Sequence, residues 1–256
     1  MMTFYHEKVK TEMNITSCPS SNFNDRPAGC LPSLIILHYT GTKTAEEAKS
    51  RFLDKSPADT VGRIAPHYLI DGAGKVTRFV EEDKRAWHAG ASMWQGQEDI
   101  NGLSIGIEIW NSGHEHDLED YRTEQMDSLI NLIEDIRRRW TIPNIGILAH
   151  SDVAPQRKLD PGEKFPWSHL AAKGVGLFPR IMIEDKDVGS RLLKDRDLFI
   201  KSLHHYGYDS RVDETTLITA FQRHFLPHIF SYPERMGKPD LETCAAFASL
   251  FRQSKA

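Results

Sequence analysis

Ser33-Leu34-Ile35-Ile36-Leu37-His38-Tyr39-Thr40 follows a proline and precedes Gly41. A short apolar run bounded in this way fits a strand buried on both faces better than a helix. Such a strand needs cover above and below. It ends on a histidine. Ile145-Gly146-Ile147-Leu148-Ala149-His150 reads as a second short strand, and it too ends on a histidine. Side by side in one sheet, the two strand ends would bring both imidazoles to one rim.

The segments around these runs have their own signals. Thr44-Ala45-Glu46-Glu47 has capping-box form and predicts a short helix that presents Ala45, Ala48 and Phe52 on one side. His67-Tyr68-Leu69-Ile70 and Val76-Thr77-Arg78-Phe79-Val80 flank Asp71-Gly72-Ala73-Gly74, which predicts a hairpin. Ser104-Ile105-Gly106-Ile107-Glu108-Ile109-Trp110 alternates, with the isoleucines on one face and Ser104, Gly106, Glu108 and Trp110 on the other. Glu108 therefore points away from the apolar side. From Thr123, residues Met126, Leu129, Ile130, Ile133 and Ile136 recur at helical spacing, with Glu124 at the start and Arg137, Arg138 and Arg139 at the end, as the helix dipole favours. Residues 151–167 contain Pro155, Pro161, Gly162 and Pro166; they are expected to be irregular, and the stretch is long for an idle loop.

Near Pro179 the character changes. A charged link through Asp185, Lys186, Asp187 and Gly189 is expected to lead into three helical patterns. The first carries Leu192, Phe199, Leu203 and Tyr206 and stops at Gly207. The second carries Leu217, Ala220, Phe221, His224 and Phe225 behind Asp213 and stops at Pro227. The third carries Leu241, Cys244, Ala245, Ala248 and Phe251 behind Asp240. This reading divides the chain into residues 1–182, which hold the sheet, and residues 188–256, a small three-helix domain.

The 256 residues include 32 Lys+Arg against 36 Asp+Glu, a formal net charge of −4. That balance lacks the basic footprint of proteins that wrap nucleic acid or sit on anionic membranes, so neither is an expected partner. The longest uncharged run, between Arg26 and Lys43, is broken by Pro27, Gly29 and Pro32 and falls short of the about 20 apolar residues a membrane span needs. Residues 1–8 show no basic start followed by an apolar core, so no secretory signal is read and a cytoplasmic location is expected. Cys18, Cys30 and Cys244 have no metal-type spacing and are expected to be structural thiols. Oligomeric state is left open.

Metal-assisted hydrolysis takes three N or O ligands, an open fourth position and a nearby base. His38 and His150 are candidates for two ligands. Asp160, in Lys158-Leu159-Asp160-Pro161-Gly162, is a candidate for the third: the proline fixes the backbone behind its carboxylate, and Lys158 shares its side of an extended stretch. On chemistry alone His67 and His88 compete with His38 and His150. Each residue also has a plainer reading. Strand-end histidines often only hydrogen-bond at the surface, an Asp before Pro commonly makes a turn, and Glu108 and Lys158 are compatible with solvated charges.

Taken together, these segments resemble the zinc-dependent N-acetylmuramoyl-L-alanine amidases of the AmpD/AmiD type, which share a fold with phage T7 lysozyme and the peptidoglycan recognition proteins. The matching pieces are Ile36-Leu37-His38-Tyr39-Thr40, Ala65-Pro66-His67-Tyr68-Leu69-Ile70, Ala86-Trp87-His88-Ala89-Gly90, Asn101-Gly102-Leu103-Ser104-Ile105-Gly106-Ile107-Glu108, and His150-Ser151-Asp152 through Lys158-Leu159-Asp160-Pro161-Gly162. They follow one another in family order, and the resemblance implies an α/β fold with a mixed central β-sheet flanked by helices. The resemblance implies one zinc ion on His38, His150 and Asp160, Glu108 as catalytic base and Lys158 as stabiliser of the oxyanion. It gives His67 a mainly structural role and places His67, Trp87 and His88, with Tyr39 and Asn101, among the substrate-side candidates. The implied substrate is the amide between N-acetylmuramic acid, or its 1,6-anhydro form, and L-alanine of the peptidoglycan stem peptide, in cell-wall turnover or muropeptide recycling. A protein that binds muropeptides without cutting them is the alternative, and a zinc peptidase acting on the stem peptide is a third reading.

The carboxy-terminal piece resembles a peptidoglycan-binding three-helix module, through Leu203-His204-His205-Tyr206-Gly207-Tyr208-Asp209, Val212-Asp213-Glu214 and the helix from Thr216 to Phe225. It is expected to add binding to larger peptidoglycan without supplying a catalytic group. Minimal cytoplasmic members of the family lack such a module and AmiD-type members carry one, so the periplasm or cell envelope is the alternative location.

Overall fold

The computed structural model describes residues 13–255; residues 1–8, read above for a leader, lie outside them. The strands are β1 (Ile15–Ser17), β2 (Phe23–Asp25), β3 (Leu34–Tyr39), β4 (Tyr68–Ile70), β5 (Val76–Arg78), β6 (Lys84–Ala86), β7 (Ser104–Ile109) and β8 (Ile147–Ala149). The α-helices are α1 (Ala45–Leu53), α2 (Ile100–Leu103), α3 (Thr123–Arg137), α4 (His150–Val153), α5 (Trp167–Ala172), α6 (Ile183–Lys194), α7 (Arg196–Tyr206), α8 (Glu214–Phe225) and α9 (Leu241–Gln253). Six strands form one mixed sheet in the order β1-β5-β4-β7-β3-β8, and β2 and β6 form a small antiparallel pair. Strands β4, β7, β3 and β8 run parallel, while β5 returns antiparallel to β4 as the predicted hairpin.

The run that opened the sequence reading is strand β3, near one edge of the sheet, with Ile35, Ile36 and Leu37 fully buried. Its two faces meet different cores. Ile35 and Leu37, with Ile105, Ile107 and Ile109 of β7, pack on Met126, Leu129, Ile133 and Ile136 of α3. Ile36, on the opposite face, joins Leu148, Val153 and Trp94 in a cluster that continues into Phe199, Leu203, Phe221 and Phe247 of the carboxy-terminal helices. Helix α1 starts as its sequence requires: Glu47 N–H donates to the Thr44 hydroxyl (3.1 Å), and Thr44 N–H donates to the Glu47 carboxylate (3.3 Å).

Three local expectations are corrected. Strand β8 stops at Ala149, and His150 opens helix α4 instead of closing the strand, because the Asp152 carboxylate accepts the Ala149 N–H (2.8 Å) and turns the chain. The link expected at residues 185–189 is the interior of α6. Asp185 accepts the Met182 N–H (2.8 Å) and pairs with Arg252 of α9 (2.8 Å). Gly189 is there for close packing, since a Cβ would stand 2.7 Å from the Ala245 nitrogen of α9. Consequently the first of the three expected patterns is two helices, broken at Asp195, whose side chain accepts the Leu198 N–H (3.0 Å) and starts α7. The other boundaries fall where they were read, with Gly207 after α7, Asp213 capping α8 and Asp240 capping α9. Cys18, Cys30 and Cys244 are free thiols. Among the described residues no helix is long and apolar enough to cross a membrane.

Candidate metal centre

Strand register assembles the site. His38 on β3 lies directly opposite Glu108 on β7, and Leu37 lies opposite Ala149, the residue before His150. Three parallel strands therefore deliver His38, Glu108 and His150 at their carboxyl ends, where open α/β sheets place their sites. Asp160 comes from the loop after α4, which folds back through a Ser151 N–H bond to the Asp160 carbonyl (3.0 Å). Leu159 is exposed, Asp160 is buried and Lys158 is half-buried, close enough for its charge to act on His38 and Glu108.

His38 Nδ1, His150 Nδ1 and Asp160 Oδ2 form a triangle with every side 2.9 Å. The protons on these rings follow from their other contacts. Ser104 donates its single hydroxyl hydrogen to the Ile100 carbonyl (2.6 Å), so toward His88 Nε2 (3.2 Å) it accepts. His88 then carries its hydrogen on Nε2, its Nδ1 is bare, and it receives the Nε2–H of His38 (3.0 Å). That leaves His38 Nδ1 as a lone pair. His150 donates Nε2–H to the Ala89 carbonyl (3.0 Å), which leaves its Nδ1 bare as well.

Two imidazole lone pairs and a carboxylate oxygen thus converge with no hydrogen between them, an arrangement that repels itself unless a cation sits among the three. Protonation is a poor substitute: burial and the neighbouring His150 depress His38 to about 4. His38, His150 and Asp160 are the residues among those described that could hold a metal ion. Their types fit zinc, and a tetrahedral ion with ligands at about 2.0–2.1 Å would spread them from 2.9 Å to roughly 3.3 Å apart. The donors on the far ring nitrogens are the usual outer support of metal-bound histidine.

Glu108 projects beside this cluster. Its Oε2 is buried without a hydrogen-bond partner. Burial, and then the charge of Asp160, push its carboxyl well above the usual range, while Lys158 pulls it down.

The substrate-side candidates divide. Tyr39 is half-buried: its hydroxyl donates to His114 Nδ1 (3.0 Å), and His114 Nε2–H donates to Glu163 (3.0 Å), which also pairs with Arg223 of α8 (3.3 Å). The sequence reading missed His114, Glu163 and Arg223, which share no motif and meet only through the fold. His88, His67 and Asn101, in contrast, are packed behind the cluster, which corrects the substrate-side placement of His88 and Asn101 and leaves His67 with its structural part. The His88 ring occupies the room left by Gly106, where a methyl group would overlap it. His67 is fully buried, accepts the Gly106 N–H on Nδ1 (2.9 Å) and donates to the Lys84 carbonyl (3.0 Å). Asn101 Oδ1 accepts the N–H groups of His88 (3.1 Å) and Ala89 (2.8 Å) and so fixes the backbone that supports His150. Trp87 lies toward β2, donating to Asn24 (2.6 Å) under the Arg63 guanidinium.

Sheet, ligand triangle and adjacent carboxylate supply the parts that a metal-assisted hydrolase would need. A family profile described as N-acetylmuramoyl-L-alanine amidase matches residues 27–163, and the chain belongs to that family; it is an amidase. It is 32% identical over 241 residues to N-acetylmuramoyl-L-alanine amidase AmiD of Escherichia coli strain K12, covering 86% of this chain and 82% of that protein. The structure of E. coli AmiD in complex with the substrate anhydro-N-acetylmuramic acid-L-Ala-D-γ-Glu-L-Lys superposes with a TM-score of 0.73 at 28% identity, over 91% of this chain and 98% of that one. The crystal structure of AmpDh3 from Pseudomonas aeruginosa superposes with a TM-score of 0.75 at 28% identity, over the whole of both chains.

Proposed function

We propose that this amidase is zinc-dependent and cleaves the bond between N-acetylmuramic acid, in its 1,6-anhydro or reducing form, and L-alanine of peptidoglycan stem peptides. The convergence of three bare ligand atoms, each 2.9 Å from the others, carries the metal part of this reading. Zinc in that place supplies Lewis acidity and lowers the pKa of water toward about 7. Glu108 takes the proton of the attacking water on its partnerless Oε2. Its raised proton affinity then suits it to return that proton to the leaving L-alanine nitrogen. Lys158 brings positive charge to the side of Glu108 and His38 and opposes the negative charge that builds on the attacked carbonyl oxygen. Tyr39, fixed by His114, bounds the cleft. The carboxy-terminal helices add retention on polymeric peptidoglycan.

The test is incubation of zinc-loaded protein with anhydromuramyl tripeptide and, separately, with its reducing-end counterpart, read by mass spectrometry. Release of an intact tripeptide is expected. No release from either would leave a binding protein, and shortened peptides would make the enzyme a peptidase.

A further inference from the structure

Asp152 has no part in the proposed chemistry, yet it lies two residues after His150 on α4, is fully buried, and uses both carboxylate oxygens. Oδ2 accepts the Ala149 N–H (2.8 Å) and the Nδ1–H of His224 (2.7 Å), and Oδ1 accepts the Tyr208 hydroxyl (2.8 Å). Tyr208 follows α7, and His224 sits in the last turn of α8. The His224 ring is stacked between Trp167 and Phe225, with centroids 3.7 and 3.8 Å away, which fixes the plane of the ring.

A second attachment runs through the loop after Ala89. Met93 N–H donates to the Val153 carbonyl of α4 (2.8 Å), Gln95 N–H donates to the Gly207 carbonyl (2.8 Å), and Trp94 packs edge-on against Tyr206 and Tyr208. Ala89 begins that loop and provides the carbonyl that fixes the His150 tautomer. The helix that carries His150 and the carbonyl that aims it are thus both held from the carboxy-terminal region.

We propose that this region is an outer part of the metal centre: Tyr208 and His224, acting through Asp152, are positioning residues that keep His150 Nδ1 directed at the metal and raise metal affinity, apart from any hold on wall polymer. This rests on the reading of His38, His150 and Asp160 as zinc ligands. The experiment measures zinc affinity of the full-length protein by competition with a chelator, together with the melting temperature of the metal-free form. Tyr208→Phe removes one hydroxyl, and His224→Phe keeps a ring to stack. Each is expected to weaken zinc binding roughly 10-fold, and the double variant toward 100-fold. His224→Asn, which keeps an N–H near the Nδ1 position, recovers part of the loss. Phe251→Ala on α9, against Phe247, lowers the melting temperature without moving zinc affinity.

Wild-type protein that holds no zinc would overturn the ligand reading and this proposal with it. Wild type that binds zinc, with Tyr208→Phe and His224→Phe within twofold of it, would overturn this proposal alone, as would an equal loss of affinity in Phe251→Ala. Should His224→Phe fail to fold, Tyr208→Phe decides.

Discussion

Strand β7 presents two surfaces one residue apart that obey different rules. Ile105, Ile107 and Ile109 are fully buried against α3 in a cluster whose requirement is volume. Ser104, Gly106 and Glu108 alternate with them and face three histidines, and there the requirement is direction. Ser104 must donate to Ile100 in order to accept from His88. Gly106 must offer its N–H to His67 and no side chain to His88. Glu108 must keep one oxygen without a partner. Buried polar groups nearly always find hydrogen-bond partners, so a partnerless Glu108 oxygen beside the ligand triangle is what motivates its proposed role as proton acceptor.

Substitutions on the two faces should therefore fail differently. The largest effect belongs to Glu108→Gln, which keeps the volume and removes the proton acceptor. Turnover should fall on the order of 10²–10⁴-fold with the zinc content unchanged. Metal analysis beside a turnover assay reads both, and wild-type turnover would make Glu108 a bystander. Next comes Ile107→Ala on the opposite face, expected to cost about 2–5 kcal/mol of stability through the cavity it leaves. Its zinc affinity and the turnover of its folded fraction should stay at wild-type values. If Ile107→Ala also lost zinc, the two faces would not be separable.

A smaller effect is expected from Ser104→Ala. Without the hydroxyl oxygen, His88 Nε2–H loses its acceptor, the His88 tautomer is no longer fixed, and His38 Nδ1 is bare only part of the time. Zinc affinity should weaken by roughly 10-fold, as for other losses behind a metal-bound histidine, with a far smaller change in melting temperature than Ile107→Ala. Chelator competition and thermal melts on the same samples would show whether the ordering reverses.

The apolar rule was readable from the chain, because period and punctuation are local. The isoleucine alternation fixed which side of β7 Glu108 leaves, and Gly207, Asp213 and Asp240 marked helix ends that the structure keeps. The directional rule was only half readable. His38, His150 and Asp160 stood out by position and residue type, but His88 and Asn101 looked like cleft residues because nothing in a linear motif shows that Gly106 leaves room for a ring behind His38. The segment 185–189 misled for the converse reason. Charges and a glycine suggest a flexible link when weighed by local propensity, and the partners that make it helical, Arg252 and Ala245, are more than fifty residues away. Asp152 lay inside a quoted motif, yet its partners Tyr208 and His224 declare themselves only in three dimensions.

The smallest expected effect has the opposite sign to the others and separates the faces once more. Burial raises the Glu108 carboxyl in the folded protein well above its usual value, with Asp160 adding to the rise. A carboxyl with a raised folded pKa favours the protonated form, so the folded state is unpenalised below the unfolded pKa of about 4.3. Stability is then lost as pH climbs from there toward the raised folded value, because the unfolded chain releases the proton first. Glu108→Gln has no proton to release. Metal-free Glu108→Gln should therefore melt with wild type near pH 4 and, near pH 7, higher by about a few degrees at most. Ile107→Ala should melt lower at both. Equal melting of wild type and Glu108→Gln at both pH values would mean that the Glu108 carboxylate is better solvated than its partnerless oxygen implies. A variant that melted lower at pH 7 would mean that the charge stabilises the metal-free fold, and the polar face of β7 would then be held together by its charges instead of carrying them at a cost.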